Sequence, residues 1–430
     1  MPEAFELEVL IRYILSVVSK YERPLVVPVE LAGLVESISA AMDKLEGFVD
    51  TPTPSKPYVP AELFEYWDAV STAREEYRVN VKTGFSGQTS TLSPETLAST
   101  LQAWIKEMDK GKARAFSFGS HGYGDDGSSG IPPTYFSYNV TKWTETGERN
   151  KDGHPLVIPK QMKVGRFPLF LEGPVRYIKT VDGGEAKTVY KRVRKSGLRD
   201  EGLSMYTVSA SLQGQSYDMG RMMAFTPGWL ENQSVWMHMS YKFYLELLRK
   251  DMFDEFFEEM TSGGILPFMR PDRYGRSLME CSSFIASSAF DDPSVRGRGF
   301  LARLSGSTAE FLSMWVLLMI GPRPFFLAED TGELQMQLLP ALPIWFFERD
   351  TTEGNRKSDP LVVNFKLFGA ITVFYHNVRR TDLFRSPPSR YKIGLRDGSI
   401  HTVNGTSIPG DLADKIRRVV FVDYISAFFE

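Results

Sequence analysis

Apolar residues at the start of the chain recur at helical spacing. Residues 4–20 carry a broad apolar stripe made of Phe5, Leu7, Val9, Leu10, Tyr13, Ile14 and Val17. Such a stripe predicts a helix that is buried over much of its circumference. The pattern continues with a second predicted helix over 28–46 and a third over 60–80. The stretch 50–59, rich in Pro and Thr, is predicted to be a loop between them.

A fourth helix has clear end signals. Ser93 is suited to the N-cap and Pro94 to the first helical position, and Gly111 is expected to follow the last turn. One face of this helix is predicted to carry Leu97, Leu101, Trp104, Ile105 and Met108. Residues 4–110 are therefore predicted to be helical, within a larger helical domain that covers 1–327.

The middle of the chain changes from helical to extended patterning. Residues 134–140 and 167–171 have the composition of strands, and the Gly183-Gly184 turn precedes another predicted strand at 188–193. We therefore expect a strand-rich insertion at about 113–200 in the helical domain.

Helical patterning returns after residue 234, with helices predicted over 234–250, 251–260 and 307–320. The last of these has the sequence of a capping box, with Ser307 as N-cap and Glu310 three residues later.

Strand patterning dominates from residue 328 to the end. Residues 361–375 are strand-like, and Asp397-Gly398 lies between two further strand-like segments, which predicts a hairpin. A small C-terminal β-rich domain is therefore expected at 328–430. The fold class is mainly α with β.

Composition excludes several function classes. The chain has 430 residues, of which 42% are hydrophobic, and a net charge of −3. This is ordinary for a globular protein and gives no expectation of nucleic-acid or membrane partners. Cys281 is the single cysteine, so no intrachain disulfide is possible. The apolar run 311–320 is too short to span a membrane, and no signal peptide is visible. We therefore expect a cytoplasmic protein.

The stretch 225–238 holds the strongest candidate chemistry, with two indoles, a carboxylate and two amides around a Pro-Gly turn. The faces of Trp229 and Trp236 suit the apolar face of a pyranose ring, although core packing of the indoles is an equal alternative. Glu231, Asn232 and Gln233 offer the donors and acceptors that ring hydroxyls need. These residues predict a carbohydrate site.

A histidine follows this segment at helical spacing. His238 lies seven residues after Glu231. If the Pro-Gly turn runs into a helix, about two turns separate the two side chains and both lie on one side.

A second candidate segment has the features of an anion site. Ser305, Gly306 and Ser307 precede an apolar helical run, with Arg303 just upstream. A helix start with small residues presents free N–H groups and a positive dipole end, which suit phosphate, although most such segments are only helix caps.

Other catalytic apparatus is not expected. The five histidines, at 121, 154, 238, 376 and 401, form no pair at helical spacing and have no cysteine partners. No metal and no cofactor are therefore predicted.

Taken together, the two segments resemble the C-terminal half of the cellobiose phosphorylase-like enzymes, glycoside hydrolase family 94. Those enzymes carry a Pro-Gly-x-x-Glu-Asn segment with a His seven residues after the Glu, and later a Thr-Gly-Ser-Ala segment before a helix. The positions that match are Pro227, Gly228, Glu231, Asn232 and His238, and then Ser305, Gly306 and Ser307. The clear similarity covers roughly 200–345.

The resemblance implies a fold, an activity and roles for individual residues. It implies an (α/α)6 barrel, here partial or rearranged, followed by the β domain. It also implies inverting cleavage of a β-linked oligosaccharide by inorganic phosphate, which is the co-substrate. His238, Ser305 and Gly306 would hold the phosphate, and Glu231 and Asn232 would bind or orient the sugar.

The general acid of this reaction is not found. In the family it lies in an Asp-Trp-Asn-Asp segment, and the nearest string here is Trp67-Asp68 within a predicted helix. We expect the chain to begin after the place of that segment. Half a barrel would expose apolar faces, so we also expect homo-oligomerisation if the chain stands alone. Glu231 is an alternative acid, because a neighbouring indole could raise its pKa by desolvation. A non-catalytic carbohydrate-binding protein and a glycoside hydrolase stay open as alternatives.

Overall fold

A computed structural model describes residues 1–48, 55–120, 130–265, 275, 284–301, 305–347 and 361–430, which form a mixed α and β protein. The chain divides into two compact units. Unit 1 consists of Met1–Phe243 with Ser262–Ala302, and unit 2 consists of Tyr244–Thr261 with Arg303–Glu430.

The helices that start in unit 1 are α1 (Pro2–Tyr21), α2 (Val29–Asp43), α3 (Ala61–Asn80), α4 (Pro94–Ser120), α5 (Glu172–Ile178), α6 (Gly183–Arg194) and α7 (Met237–Arg249). Its strands are β1 (Leu25–Pro28), β2 (Thr89–Leu92), β3 (Phe136–Arg149), β4 (Pro155–Arg166), β5 (Arg199–Asp200), β6 (Met205–Tyr206), β7 (Val235–Trp236), β8 (Phe284–Ile285) and β9 (Gly299–Phe300). Short 3₁₀ turns cover Tyr217–Met219 and Arg221–Ala224.

All four helices predicted from the N-terminal pattern are present. The prediction that α1 is buried over much of its circumference is wrong, because Leu7, Val9, Leu10 and Tyr13 of its stripe are exposed. Helices α1 and α4 pack together through a cluster of Ile11, Leu97, Leu101 and Ile105. Ser93 caps α4 as predicted, because its hydroxyl accepts a hydrogen bond of 3.1 Å from the Thr96 N–H.

The predicted end of α4 at Gly111 is wrong, since the helix continues to Ser120. The residues after Gly111 make contacts that hold them in the helix. Lys112 donates a hydrogen bond of 2.6 Å to the buried Glu8 on α1, and Ala115 is buried. These contacts outweigh the roughly 1 kcal/mol that an interior glycine costs a helix.

The strand-rich insertion is a single long hairpin. Strands β3 and β4 pair antiparallel, and side chains along most of both strands are exposed. The segment 167–171 was predicted to be extended, but only Phe170 forms a bridge, with Ser209. The predicted loop at 50–59 lies partly outside the described residues.

The predicted strand at 188–193 is wrong, because these residues belong to helix α6. Asp182 caps the helix by accepting a hydrogen bond of 2.9 Å from the Glu185 N–H, so the two glycines start a helix rather than a hairpin. The buried face consists of Ala186, Val189, Tyr190 and Val193. This spacing is helical, and the expected alternation of a strand is absent.

Unit 2 contains the helices α8 (Phe253–Glu259), α9 (Ser305–Met319) and α10 (Gly410–Arg417), the C-terminal part of α7, and the turn Ile344–Phe346. A further turn, Met260–Gly264, crosses from unit 2 into unit 1. Its strands are β10 (Phe325–Leu327), β11 (Leu334–Met336), β12 (Ala341–Leu342), β13 (Leu361–Leu367), β14 (Ile371–Asn377), β15 (Leu383–Phe384), β16 (Arg390–Leu395), β17 (Ile400–Asn404), β18 (Ile408–Pro409) and β19 (Val422–Phe429).

A five-stranded sheet with the order β13-β14-β19-β16-β17 forms the centre of unit 2. One face is buried in a large apolar core that also takes in residues from α9 and α10. The hairpin predicted at Asp397-Gly398 is confirmed as β16 and β17. The single strand-like segment at 361–375 is instead a hairpin of two strands, which turns at Phe368 and Gly369 with positive φ.

The length and hydropathy of the helices bear on membrane insertion. Within the described ranges, none is both long and apolar enough to cross a bilayer.

Candidate functional site

The candidate carbohydrate segment is a tightly bonded loop in unit 1. The Gly228 N–H donates to the Asn232 carbonyl at 2.9 Å, and the Asn232 N–H donates to the Trp229 carbonyl at 3.1 Å. Two residues of the loop that are not glycine have positive φ, Leu230 at 48° and Gln233 at 55°. Such conformations cost of order 1–3 kcal/mol each and cluster at functional sites.

Two serines outside the loop hold it in place. Ser209 accepts a hydrogen bond of 3.1 Å from the Gln233 N–H. Ser287 donates to the Gln233 carbonyl at 2.6 Å, and its own N–H donates to the Gly228 carbonyl at 3.1 Å. The backbone of Gln233 is therefore bonded on both sides, which maintains its left-handed conformation.

The carboxylate of Glu231 forms a two-pronged ion pair with Arg221. The Arg221 Nε donates to Oε2 at 3.0 Å, and its Nη2 donates to Oε1. Glu231 is partly exposed and Arg221 is largely exposed. The pair thus presents a fixed carboxylate and a cation at the surface of the loop.

Asn232 is buried beneath this pair. Its amide nitrogen donates to the Phe225 carbonyl at 2.8 Å. Within the described part of the chain its Oδ1 is buried and has no hydrogen-bond partner. An unsatisfied acceptor of this kind costs about 1–3 kcal/mol.

Trp229 is packed among phenyl rings. Its ring centroid lies 5.0 Å from that of Phe284, 5.3 Å from that of Phe290 and 4.7 Å from that of Phe300. Of the two interpretations that the sequence left open for this indole, the contacts favour core packing.

Trp236 is half-buried and is fixed at both ends. Its ring stacks on Phe284 at 5.8 Å, and its Nε1 donates to the Leu230 carbonyl at 2.6 Å. The ring also meets the His238 imidazole edge to face at 5.7 Å.

The expectation that one helix carries both Glu231 and His238 is wrong. Glu231 lies in the loop, and α7 begins only at Met237, after the short strand β7. The Pro-Gly turn closes on itself through loop hydrogen bonds, so the chain returns to a three-stranded sheet before it becomes helical.

The His238 imidazole has a perturbed acidity. Burial lowers the pKa of His238, Lys242 one turn later lowers it further, and Glu172 on α5 opposes the shift. The ring is therefore neutral at pH 7 and offers one N–H donor.

The candidate phosphate segment begins α9 in unit 2. The helix starts at Ser305, before the predicted start at 307, so Ser307 lies inside the helix and the prediction that it is the N-cap of a capping box is wrong. Ser307 is buried in the first turn, and Gly306 is partly exposed. Arg303 lies outside the described residues, as do His121 and Cys281.

Sequence reasoning missed Arg221, Ser209 and Ser287. None of them belongs to a motif, and Ser287 acts across a gap of 54 positions from Gln233. Only the folded loop brings these side chains to the candidate site.

Comparisons with known proteins add no assignment: no protein-family model and no curated protein matches this chain. The resemblance to glycoside hydrolase family 94 therefore rests on the motifs described above.

Proposed function

We propose that this chain is a carbohydrate-active protein of the inverting glycoside phosphorylase type, which acts on β-linked glucosides with inorganic phosphate. The finer features of the proposal are those of that enzyme type. They are an (α/α)6 barrel in partial or rearranged form, a cytoplasmic location and a homo-oligomeric assembly.

The strained loop 225–234 is the observation that carries the sugar-binding part. It holds Glu231 at the surface by a salt bridge, in a conformation that includes two left-handed residues. It also contains the buried amide oxygen of Asn232, which has no hydrogen-bond partner among the residues that the structure describes. These features cost stability, and a preorganised binding loop is one setting in which such costs are retained. Trp236 and Gln233 are only half-buried and would border the sugar.

The phosphate-binding part rests on two separate features. In unit 2, the start of the 15-residue helix α9 at Ser305 and Gly306 presents N–H groups and a positive dipole end. In unit 1, the neutral His238 supplies an N–H donor. Each of these features suits an oxyanion by itself.

The chemistry requires few residues. Phosphate is anionic at neutral pH and attacks the anomeric carbon directly, so no carboxylate is needed as a base. The leaving oxygen takes a proton from a general acid. In the structure Glu231 is an acceptor from Arg221, so we assign Glu231 to sugar hydroxyls and leave the acid unassigned.

Phosphorolysis assays test the proposal. The purified chain is mixed with cello-, laminari- and sophoro-oligosaccharides in the presence and absence of phosphate, and sugar 1-phosphate is measured. We expect product only with phosphate. Glu231→Gln should lower turnover at least tenfold. The control Asp218→Asn changes an exposed carboxylate whose side chain bonds Ser216, and should have no effect.

The other outcomes are equally informative. Sugar release in phosphate-free buffer would contradict the proposal and select a glycoside hydrolase. Absence of both turnover and oligosaccharide binding would reject a carbohydrate function for the loop.

A non-catalytic carbohydrate-binding protein is the second candidate. The observation in its favour is that Glu231 is engaged by Arg221 in a chain without an Asp-Trp-Asn-Asp segment. Calorimetric titration with the same oligosaccharides separates the two candidates. Saturable binding that Glu231→Gln weakens, without any sugar 1-phosphate, would establish this alternative.

A further inference from the structure

Unit 1 contains a cavity remote in sequence from the loop described above. Its volume is about 410 Å³, which is the size of small-molecule sites in proteins. Helices α3 and α4 form two walls, and the base of the β3–β4 hairpin forms a third.

Aromatic and aliphatic groups dominate the walls. From α3 come Leu63, Phe64 and Trp67, and the Phe64 and Trp67 rings lie 5.6 Å apart at a tilt of 52°. Met162 and Val164 face them from β4. Two differently inclined rings on one wall suit a flat aromatic guest, which can meet one ring by its face and the other by its edge.

Few polar side chains line the cavity, and all of them can donate a hydrogen bond. Arg114 is the charged side chain among the lining residues, and Tyr66 and Tyr138 contribute phenol groups. No hydrogen bond to either hydroxyl is seen in the described part of the chain. Burial raises the pKa of Tyr66, with Glu107 adding to the rise and Arg114 opposing it. The phenol therefore stays protonated and can donate.

The Arg114 guanidinium uses only part of its N–H groups in contacts with the described residues. Its Nη2 bonds the Glu107 Oε1 at 2.9 Å, and the other oxygen of Glu107 pairs with Lys110 at 3.1 Å. Two cations thus share one carboxylate, which leaves a net positive charge. Within the described ranges, the Nε and Nη1 of Arg114 bond no other group. The Arg114 side chain is only 20% exposed, so an anion here would be screened weakly.

We propose that this cavity binds a small aromatic carboxylate, with Arg114 and the phenol hydroxyls at the carboxylate and Trp67 and Phe64 around the ring. A guanidinium is suited to planar, two-pronged recognition of a carboxylate. The apolar walls remove the hydrocarbon part of the ligand from water.

A sugar fits this cavity poorly. A pyranose presents several hydroxyls that need donors and acceptors in many directions, whereas the side chains of this lining offer one guanidinium, two phenols and one indole N–H. The cavity is thereby distinguished from the loop at 225–234, and its ligand does not depend on the function proposed for that loop.

Calorimetric titration with two probes of matched shape tests the inference. The probes are naphthalene-2-carboxylate and the neutral alcohol 2-naphthalenemethanol. We expect saturable binding of the carboxylate, and a loss of at least tenfold in its affinity in Arg114→Gln. The same variant should change the affinity for the alcohol less than twofold. Trp67→Ala should weaken the binding of both probes.

Control variants separate recognition from folding. Arg78→Gln removes a cation from α3, the other wall helix, at a largely exposed position that pairs with Glu75, and should leave both affinities unchanged. Tyr66→Phe keeps the shape of the cavity and removes one donor, so it should weaken only carboxylate binding. It serves as the test variant if Arg114→Gln does not fold.

Four results would overturn the assignment. They are no saturable carboxylate binding, an equal loss in Arg78→Gln, an equal effect of Arg114→Gln or Tyr66→Phe on both probes, and displacement of the carboxylate by cellobiose. The last result would indicate a sugar site instead.

Discussion

Arg221 and Glu231 lie ten positions apart in the chain and form an ion pair through two N–H groups, with the Nε to Oε2 bond at 3.0 Å. The Arg221 side chain is 79% exposed, so the pair contributes little to the free energy of unfolding. Its effect is to fix the direction of a carboxylate that would otherwise move freely. Arg221 is thus a positioning residue for Glu231 in the proposed sugar site.

A double-mutant cycle tests this coupling. Arg221→Ala should weaken oligosaccharide binding several-fold and change the melting temperature by no more than about 2 °C, because exposed ion pairs contribute about 0–1 kcal/mol. Glu231→Ala should weaken binding more. The double variant should bind like Glu231→Ala alone, as measured by calorimetry. Additive losses would show that the two residues act independently.

Gly228 is predicted to be irreplaceable in the loop. Its φ is +82°, and a Cβ there would lie 2.3 Å from the Phe290 N and 2.8 Å from the Phe290 Cα. Both of these atoms belong to the backbone of Phe290, so they cannot move away by a side-chain rotation. Gly228→Ala should therefore lower the free energy of unfolding by roughly 3 kcal/mol or more, measured by urea denaturation.

Gly214 provides the matched control. Its φ is +78°, and a Cβ there would have no atom within 4 Å. Gly214→Ala should incur only the left-handed strain of about 1–2 kcal/mol. Equal losses at both positions would show that the contact with Phe290 is unimportant.

Much of the fold follows from local pattern. The stripe over residues 4–20 predicts α1, and the cap signals at Ser93 predict the start of α4, because each rests on the chain's own periodicity and capping chemistry. The hairpin at Asp397-Gly398 is likewise a local signal. Such elements are predictable since their causes lie within a few residues.

The remaining elements depend on distant contacts. Nothing near Gly111 shows that Lys112 reaches Glu8 across 104 positions and keeps α4 helical. The Gly183-Gly184 pair is compatible with a turn or with a helix start. The hydrogen bond by which Asp182 caps the helix stabilises the second of these. In the candidate site, Arg221 and the phenyl rings around Trp229 become neighbours only after folding.

Arg385 is predicted to be a stability determinant of unit 2. Its Nη1 donates to the carbonyls of Leu317 at 2.7 Å and Leu339 at 3.0 Å, and its Nε donates to Asp251 at 3.1 Å. The guanidinium also lies over the Phe253 ring at 5.4 Å. Arg385→Lys retains the positive charge but loses the planar guanidinium with its several N–H donors. We therefore expect the free energy of unfolding, measured by urea denaturation, to fall by about 2 kcal/mol.

The control for this prediction is Arg418→Lys. Arg418 is 71% exposed and pairs with Asp414 one turn earlier on the chain, at 2.8 Å. The expected change is within about 0.5 kcal/mol. If both lysine variants lost the same stability, the buried carbonyl bonds of Arg385 would not be the cause.

The pH dependence of stability should report on His238. Burial, followed by Lys242, lowers its pKa in the folded chain below the value near 6.5 of an unfolded histidine, and Glu172 opposes the shift. The unfolded chain therefore binds more protons at this position, so stability falls as the pH decreases below about 6.5. His376 in unit 2 is shifted in the same direction by burial, Arg390 and Lys392. The melting temperature should thus fall between pH 7.5 and pH 5.

Single glutamine variants measure how much each histidine contributes to this decrease in melting temperature. His238→Gln and His376→Gln should each make the decrease in melting temperature between pH 7.5 and pH 5 smaller, whatever their effect at pH 7.5. Because the comparison is between slopes, a general loss of stability in one variant does not imitate the effect. A His238→Gln slope equal to that of the unaltered chain would mean that the imidazole is not buried in its neutral form.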